Sequence, residues 1–313
     1  MPKPKPTLSK AELTNWLAYL AVCLFWGSAY VAIKIGVTGI APLFFTALRF
    51  SIAGALMLVF ALLKGIPFPE HPREYIQSAI IGLLILFGGP AFVGLASRYI
   101  SAGAVSLIVA SIPLAVAVMQ MLYYPKLRTA SPRIWLGLLI GFSGVAILII
   151  SGGGDVKLDL RGVALCLISV VLWSVGTLYS GTVRLTSHAI VQSGLQMLFA
   201  GLGILAASFA SGENHTLNVS TASLLALLFL IIFGSILAYS AYMHIIKSWP
   251  LSKANTYAYI NPMVAVLMGW LLLKEPITPS ILLSMAVILS GVILVQADTS
   301  KPNETLELAE TPA

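Results

Sequence analysis

The sequence predicts an all-α, polytopic membrane protein with ten transmembrane helices in two inverted five-helix repeats. Three observations lead there. Of the 313 residues, 58% are hydrophobic and only 9% charged, with a mean hydropathy of +0.96. A soluble domain averages about 25% charged residues, so this chain could not solvate its surface in water. The apolar residues are gathered into runs of the length that crosses a bilayer, about 20 residues. Two of those runs are interrupted by proline at matching places, AVSLIVASIPLAVAVMQMLYYPK around Pro113 and ANTYAYINPMVAVLMGWLLLKE around Pro262. Proline removes a backbone donor and crowds the preceding turn. Hydrocarbon tolerates this only where neighbours or a wet cavity satisfy the freed groups. Broken apolar helices at corresponding positions of two halves point to a transporter's binding site.

Lys3, Lys5 and Lys10 precede the first apolar run, as they would in a signal peptide. That run is too long for a signal peptide's apolar region and leads into further spans, so it is read as the first transmembrane helix. The spans are expected at about 14–36, 42–63, 75–97, 103–123, 132–151, 160–183, 188–210, 222–246, 253–273 and 279–297. Turn chemistry separates them, as in GIPFPEHP at 65–72, SGGGD at 151–155 and SGENH at 211–215. The polar ends, 1–10 and 298–313, read as flexible tails. With the N-terminus inside, twelve of the 18 Lys and Arg fall on the cytoplasmic side and five outside, while Arg49 lies within a span. The positive-inside rule then puts both termini in the cytoplasm. The net charge of +7 therefore serves orientation, and no nucleic-acid partner is expected.

The repeat is legible in scattered identities. Trp26 and Trp173 stand 147 residues apart, Phe87-Gly88 is echoed by Phe233-Gly234, Pro113 by Pro262, and Gly144 by Gly291. The first repeat is expected over 14–151 and the second over 160–297. Five spans is an odd number, so the second repeat must enter the membrane upside down. Inverted repeats let one structure face either side in turn.

The stretches FWGSAYVAIKIG (25–36), APLFFTALRFSIAG (41–54), ANTYAYINPMVAVLMGWLLLKEPIT (254–278) and GVILV (291–295) resemble the EamA-type transporters of the drug/metabolite transporter superfamily. The resemblance covers about residues 14–297. It implies ten helices in two EamA repeats, a central cavity, peripheral spans 5 and 10, and export of small metabolites, including amino acids, across the plasma (bacterial inner) membrane. One departure stands out. The family's repeats commonly carry Glu just after the broken helix; Glu275 keeps it, but Lys126, after Pro125, occupies the matching place in the first half.

Arg49 is the only basic residue well inside a span. A central Arg costs roughly 2.5–3.5 kcal/mol on insertion scales and marks a pathway by default. Two readings stand: it braces the bundle on free carbonyls near Gly88-Gly89-Pro90, or it binds a substrate anion. The repeat sets Gln196 opposite it. All eleven acids lie in tails, loops or span ends, which weakens both ion-driven coupling and the efflux of cationic drugs. His244 could titrate but reads more simply as a hydrogen-bonded packing residue. The aromatic residues Trp26, Tyr30, Trp173, Tyr179, Tyr239, Tyr242, Tyr257 and Tyr259 could wall a site for a flat or amphipathic solute, or form interfacial belts and packing. Ser111, Gln192, Gln196, Asn255 and Asn261 offer uncharged donors and acceptors. Expected substrate-site residues are Trp26, Tyr30, Arg49, Ser111, Pro113, Trp173, Tyr239, Tyr257, Asn261 and Pro262. Gly137, Gly141 and Gly144 form a small-residue face suited to close helix contact within the chain; a homodimer is left open. Lys34 and Lys274 sit where long side chains snorkel to the interface.

Cys23 and Cys166 lie within apolar spans without metal-site spacing. No phosphate-binding loop, metal cluster or catalytic triad is present, and neither cofactor nor metal is expected. The favoured function is export of a small polar metabolite such as an amino acid by alternating access. The alternatives are multidrug efflux and, in a different class, a lipid-modifying membrane enzyme; both want acidic or metal-binding residues that the spans lack.

Overall fold

Proline at the first helical position and Ser or Asp just before it are start signals, because the first turn has donors with no intrahelical partner. The chain uses them repeatedly. A computed structural model describes residues 10–123, 132–151, 159–215, 219–249 and 257–299, and among the described residues all regular structure is helical. In order these are α1 (Lys10–Gly36), α2 (Pro42–Leu63), α3 (Pro72–Ala96), α4 (Ala102–Tyr123), α5 (Pro132–Ile150), α6 (Leu160–Thr182) and α7 (Ala189–Ala210). Then α8 runs from Thr221–Phe229 through Leu230–Leu237 to Ala238–Ser248, followed by α9 (Tyr257–Leu273) and α10 (Pro279–Thr299). Ser101 Oγ caps α4 by accepting from Ala104 N at 3.1 Å, and Ser220 Oγ caps α8 from Ser223 N at 3.1 Å. Asp159 caps α6 and pairs with the Arg161 guanidinium at 2.7 Å, which holds its carboxyl below the usual carboxylate range.

Seven of these helices are long and apolar enough to cross a membrane, and shorter apolar helices cover Pro132–Leu148, Ile260–Leu273 and Pro279–Leu294. Large apolar side chains face outward, with Leu63 82% and Ile150 85% exposed. Such a surface needs lipid around it. Of the expected tails, Lys10 begins α1 and Asp298 and Thr299 end α10, while the rest, Asn255 and the Pro125-Lys126 pair lie outside the described residues.

Two helices widen. The stretches Leu83–Ala91 of α3 and Leu230–Leu237 of α8 are π-helical. They begin 147 residues apart, on the echo of Phe87-Gly88 and Phe233-Gly234. The expected interruption of the first proline run is present one turn early. The helix stops at Val109, turns at Ala110 and Ser111, and resumes at Ile112. The Pro113 ring crowds the carbonyl four residues back, which is that of Val109. The expected bend at Pro262 is not seen as an interruption: α9 stays helical through it. Pro262 is held inside the helix, buried beside Asn261, whose amide bonds the Tyr257 and Cys23 carbonyls.

Corresponding helices of the two halves pack on each other. A β-carbon at Gly54 of α2 would stand 2.6 Å from the Leu198 nitrogen of α7, and one at Gly144 of α5 would stand 2.7 Å from the Ile288 nitrogen of α10. The small-residue face of α5 is thus an intramolecular seam. Elsewhere α1 lies between α8 and α9, with Gly27 against Val264.

Candidate substrate-binding site

The site grows from the widened turn of α8. A π turn leaves a carbonyl without its ordinary helical partner, and here Trp26 of α1 supplies one: its Nε1 donates to Gly234 O at 3.1 Å. Next along α8, Ser235 Oγ accepts from Arg49 Nε of α2 at 2.9 Å. Arg49 is 6% exposed and its guanidinium stands 4.7 Å from the Phe50 ring centroid. Among the described residues no carboxylate pairs with it, and its terminal nitrogens make no hydrogen bond. One turn further along α8, Tyr239 Oη donates to Gln196 Oε1 of α7 at 3.2 Å. Arg49 and Gln196, the repeat mates, therefore meet α8 at positions four residues apart, on one helical face.

Aromatic rings close around this point. Trp26 lies 5.2 Å from Tyr242 and 5.1 Å from Tyr257, and Tyr242 lies 5.6 Å from Tyr257 and 6.4 Å from Tyr239. These separations are those of interacting rings. Tyr30 follows Trp26 by one turn on the same face of α1. Asn261 of α9, with its amide turned to donate, lies 3.2 Å from both the Tyr257 and Cys23 carbonyls, binding α9 to α1; Pro262 is buried beside it.

The other expected residues sit elsewhere. Trp173 of α6 packs its ring on Gly89, in the widened stretch of α3, where Ser169 Oγ donates to the Gly89 carbonyl at 3.2 Å. Each Trp of the repeat pair thus seats on the widened helix of the other half. Ser111 is buried, and its hydroxyl donates to Ile108 O at 2.6 Å, holding the turn before Pro113. Arg49 does not brace Gly88-Gly89-Pro90 as one sequence reading had it; its partner is Ser235 of α8. Neither Ser235 nor the Gly234 carbonyl was foreseen, although the Phe-Gly echo marked the place. His244 meets Asn15 Oδ1 at 2.8 Å, a contact between α8 and α1.

The acids at the span ends clamp helix ends. Glu213, just after α7, accepts from Leu43 N at 3.1 Å and Phe44 N at 3.0 Å in the first turn of α2. Glu275, just after α9, accepts from Ala102 N at 2.9 Å and Gly103 N at 3.3 Å in the first turn of α4. Lys34 of α1 donates to the Ser97 and Ile100 carbonyls, at 3.2 and 2.5 Å, so the turn between α3 and α4 is gripped through carbonyls and amides alike. Glu74, in the first turn of α3, accepts from Thr186 N at 3.0 Å, Ser187 N at 3.4 Å and the Thr186 hydroxyl, just before α7. A carboxylate at a helix start satisfies orphan donors and meets the positive end of the helix dipole. Lys274 takes φ 55° and turns the chain so that Glu275 reaches α4.

Residues 14–150 and 160–297 each match the EamA-like transporter family. This chain belongs to that family. The EamA-like chain is 35% identical over 279 residues to the inner membrane transporter YedA of Escherichia coli strain K12, covering 89% of each. It is 31% identical over 292 residues to the chloroplastic WAT1-related protein At3g02690 of Arabidopsis thaliana, covering 90% of this chain and 69% of that one. The transporter YvbV of Bacillus subtilis strain 168 is 27% identical over 290 residues, with 92% of each covered. A solved crystal structure at 17% identity shares the fold with a TM-score of 0.63, covering 96% of this chain and 99% of that one. The EamA-like chain is accordingly a membrane transporter of some small solute.

Proposed function

We propose that this transporter exports a small polar metabolite such as an amino acid, by alternating access between two inverted five-helix repeats at 14–151 and 160–297. The observation that carries the reading is Arg49, buried among apolar helices with one hydrogen bond, to Ser235, and no carboxylate partner among the described residues. A guanidinium has five N–H donors. The unbonded terminal nitrogens suit a substrate carboxylate, which they can grip in a bidentate pair. The faces of Trp26, Tyr239, Tyr242 and Tyr257 then offer an apolar wall, and an ammonium over such faces is attracted to the ring quadrupole. Multidrug efflux is the weaker reading, because a cationic drug would meet Arg49 with no acid to offset it.

Access alternates if the helix-end clamps open in turn. Glu213 and Glu275 act at one end of the bundle and Glu74 at the other, given the spans expected from the sequence. On the positive-inside count the first two face outward, Glu74 faces the cytoplasm, and the membrane is the bacterial inner membrane.

Counterflow into proteoliposomes tests the proposal with labelled amino acids, nucleosides and vitamins. Accumulation of a carboxylate-bearing compound, lost in Arg49→Gln at normal folded yield, is expected. Movement of uncharged or cationic compounds only, unaffected by that substitution, would overturn it.

A further inference from the structure

A second site lies away from the aromatic cluster, between the start of α3 and the segment joining α6 to α7. We infer that this cleft holds the phosphate of an anionic phospholipid headgroup. The cleft encloses about 640 Å³ and is lined by His71, Arg73 and Gln77 on one side and Val183 and Arg184 on the other. Pockets of roughly 300–1,000 Å³ suit small ligands.

Its charge favours an anion. Arg73 and Arg184 are exposed, and neither has a hydrogen-bonding or ion-pair partner among the described residues. The one acid in the lining, Glu74, is 7% exposed and turned into the protein, where the Thr186 and Ser187 donors occupy it. The lining thus holds two exposed guanidinium side chains and an imidazole, and forked guanidiniums match phosphate oxygens.

Its position favours a lipid over a soluble phosphate. Arg73 lies in the first turn of α3 and Arg184 two residues past the end of α6, at the ends of two helices apolar and long enough to cross a membrane. Beside them Ile76 is 60% exposed and Val183 is in the wall, so an acyl chain has an apolar path next to the charged head. The sequence puts this end on the side richer in Lys and Arg, where anionic headgroups attract basic groups. The cleft also straddles the Glu74 clamp, so a bound headgroup would tie the first half of the chain to the second at that end. This inference does not depend on which solute is transported.

Native mass spectrometry of the purified full-length transporter, from membranes of phosphatidylcholine mixed with phosphatidylglycerol, tests it. Retained phosphatidylglycerol should fall about tenfold for each Arg replaced in Arg73→Gln and Arg184→Gln, the loss of a charge-assisted contact to the phosphate. It should be unchanged in Arg133→Gln, which removes an equal charge from the exposed start of α5, and largely kept in the double Lys variant, which also guards against misfolding. Equal retention by wild type and the double Gln variant overturns the inference. So does displacement of phosphatidylglycerol by inorganic phosphate at comparable concentration, which would make this a soluble-anion site.

Discussion

Arg49 makes the clearest statement at the scale of a single residue. A buried cation with one hydroxyl partner sits at an energetic disadvantage that a bound carboxylate would relieve. Replacing it with Gln keeps hydrogen-bonding capacity but removes the charge, so carboxylate transport should fall at least tenfold, about 1.4 kcal/mol, with little loss of folded yield; uptake assays beside size-exclusion profiles check both. Trp26→Phe removes the donor to Gly234 O and keeps most of the ring. It should cost about 1 kcal/mol of stability, read by thermal unfolding in detergent. The sequence singled out Arg49, Trp26, Tyr239, Tyr257 and Asn261 because polar or bulky aromatic groups are conspicuous in apolar runs. It could not single out Ser235. A serine in a membrane helix commonly bonds its own preceding turn, as Ser174 bonds Val170 O at 2.7 Å, and only the approach of α2 to α8 shows that this one serves another helix. Ser111 shows the reverse case: conspicuous beside Pro113, it is used up locally.

At the scale of the helix, residue pattern read well and backbone detail read poorly. Apolar run length matched the seven helices long enough to cross a membrane to within a few residues, since hydrocarbon leaves the backbone no other way to satisfy itself. The proline rule located the turn at Ala110-Ser111 but no interruption appears at Pro262, where the helix is continuous. The widened turns were invisible beforehand except as the Phe-Gly echo, since no residue type dictates a π turn. Small-residue spacing on α5 correctly announced a tight seam. Gly144→Leu should push α10 away at the Ile288 nitrogen and destabilise the fold by about 1–3 kcal/mol, lowering the yield of monodisperse protein. Glu275→Gln keeps the shape of the α4 clamp but loses its charge. A cost of about 0.5–1 kcal/mol is expected, seen as faster amide exchange in the first turn of α4.

At the scale of the whole molecule, the acids sit where they fasten helix ends, and the described spans keep none in their middles to carry protons. Counterflow should therefore continue when the proton gradient is collapsed with the solute gradient held fixed; a halt would show ion coupling. The paired packing of α2 on α7 and α5 on α10 joins the two halves along close helix seams. The widened turns in α3 and α8 have a further consequence. Each residue of a regular helix advances the winding by about 100°, so the extra residue in a π turn sets the azimuth of everything beyond it. Deleting one residue within 83–91 would rewind α3 and swing its far end, with the carbonyls that Lys34 grips, about a quarter-turn away. Chain length in these stretches is then a tuned quantity: a deletion there should abolish transport where a conservative substitution at partly exposed Leu83, such as Leu83→Met, is tolerated. Insertion and deletion scanning would reveal two narrow intolerant windows, one in each half, set by phase rather than by side-chain chemistry.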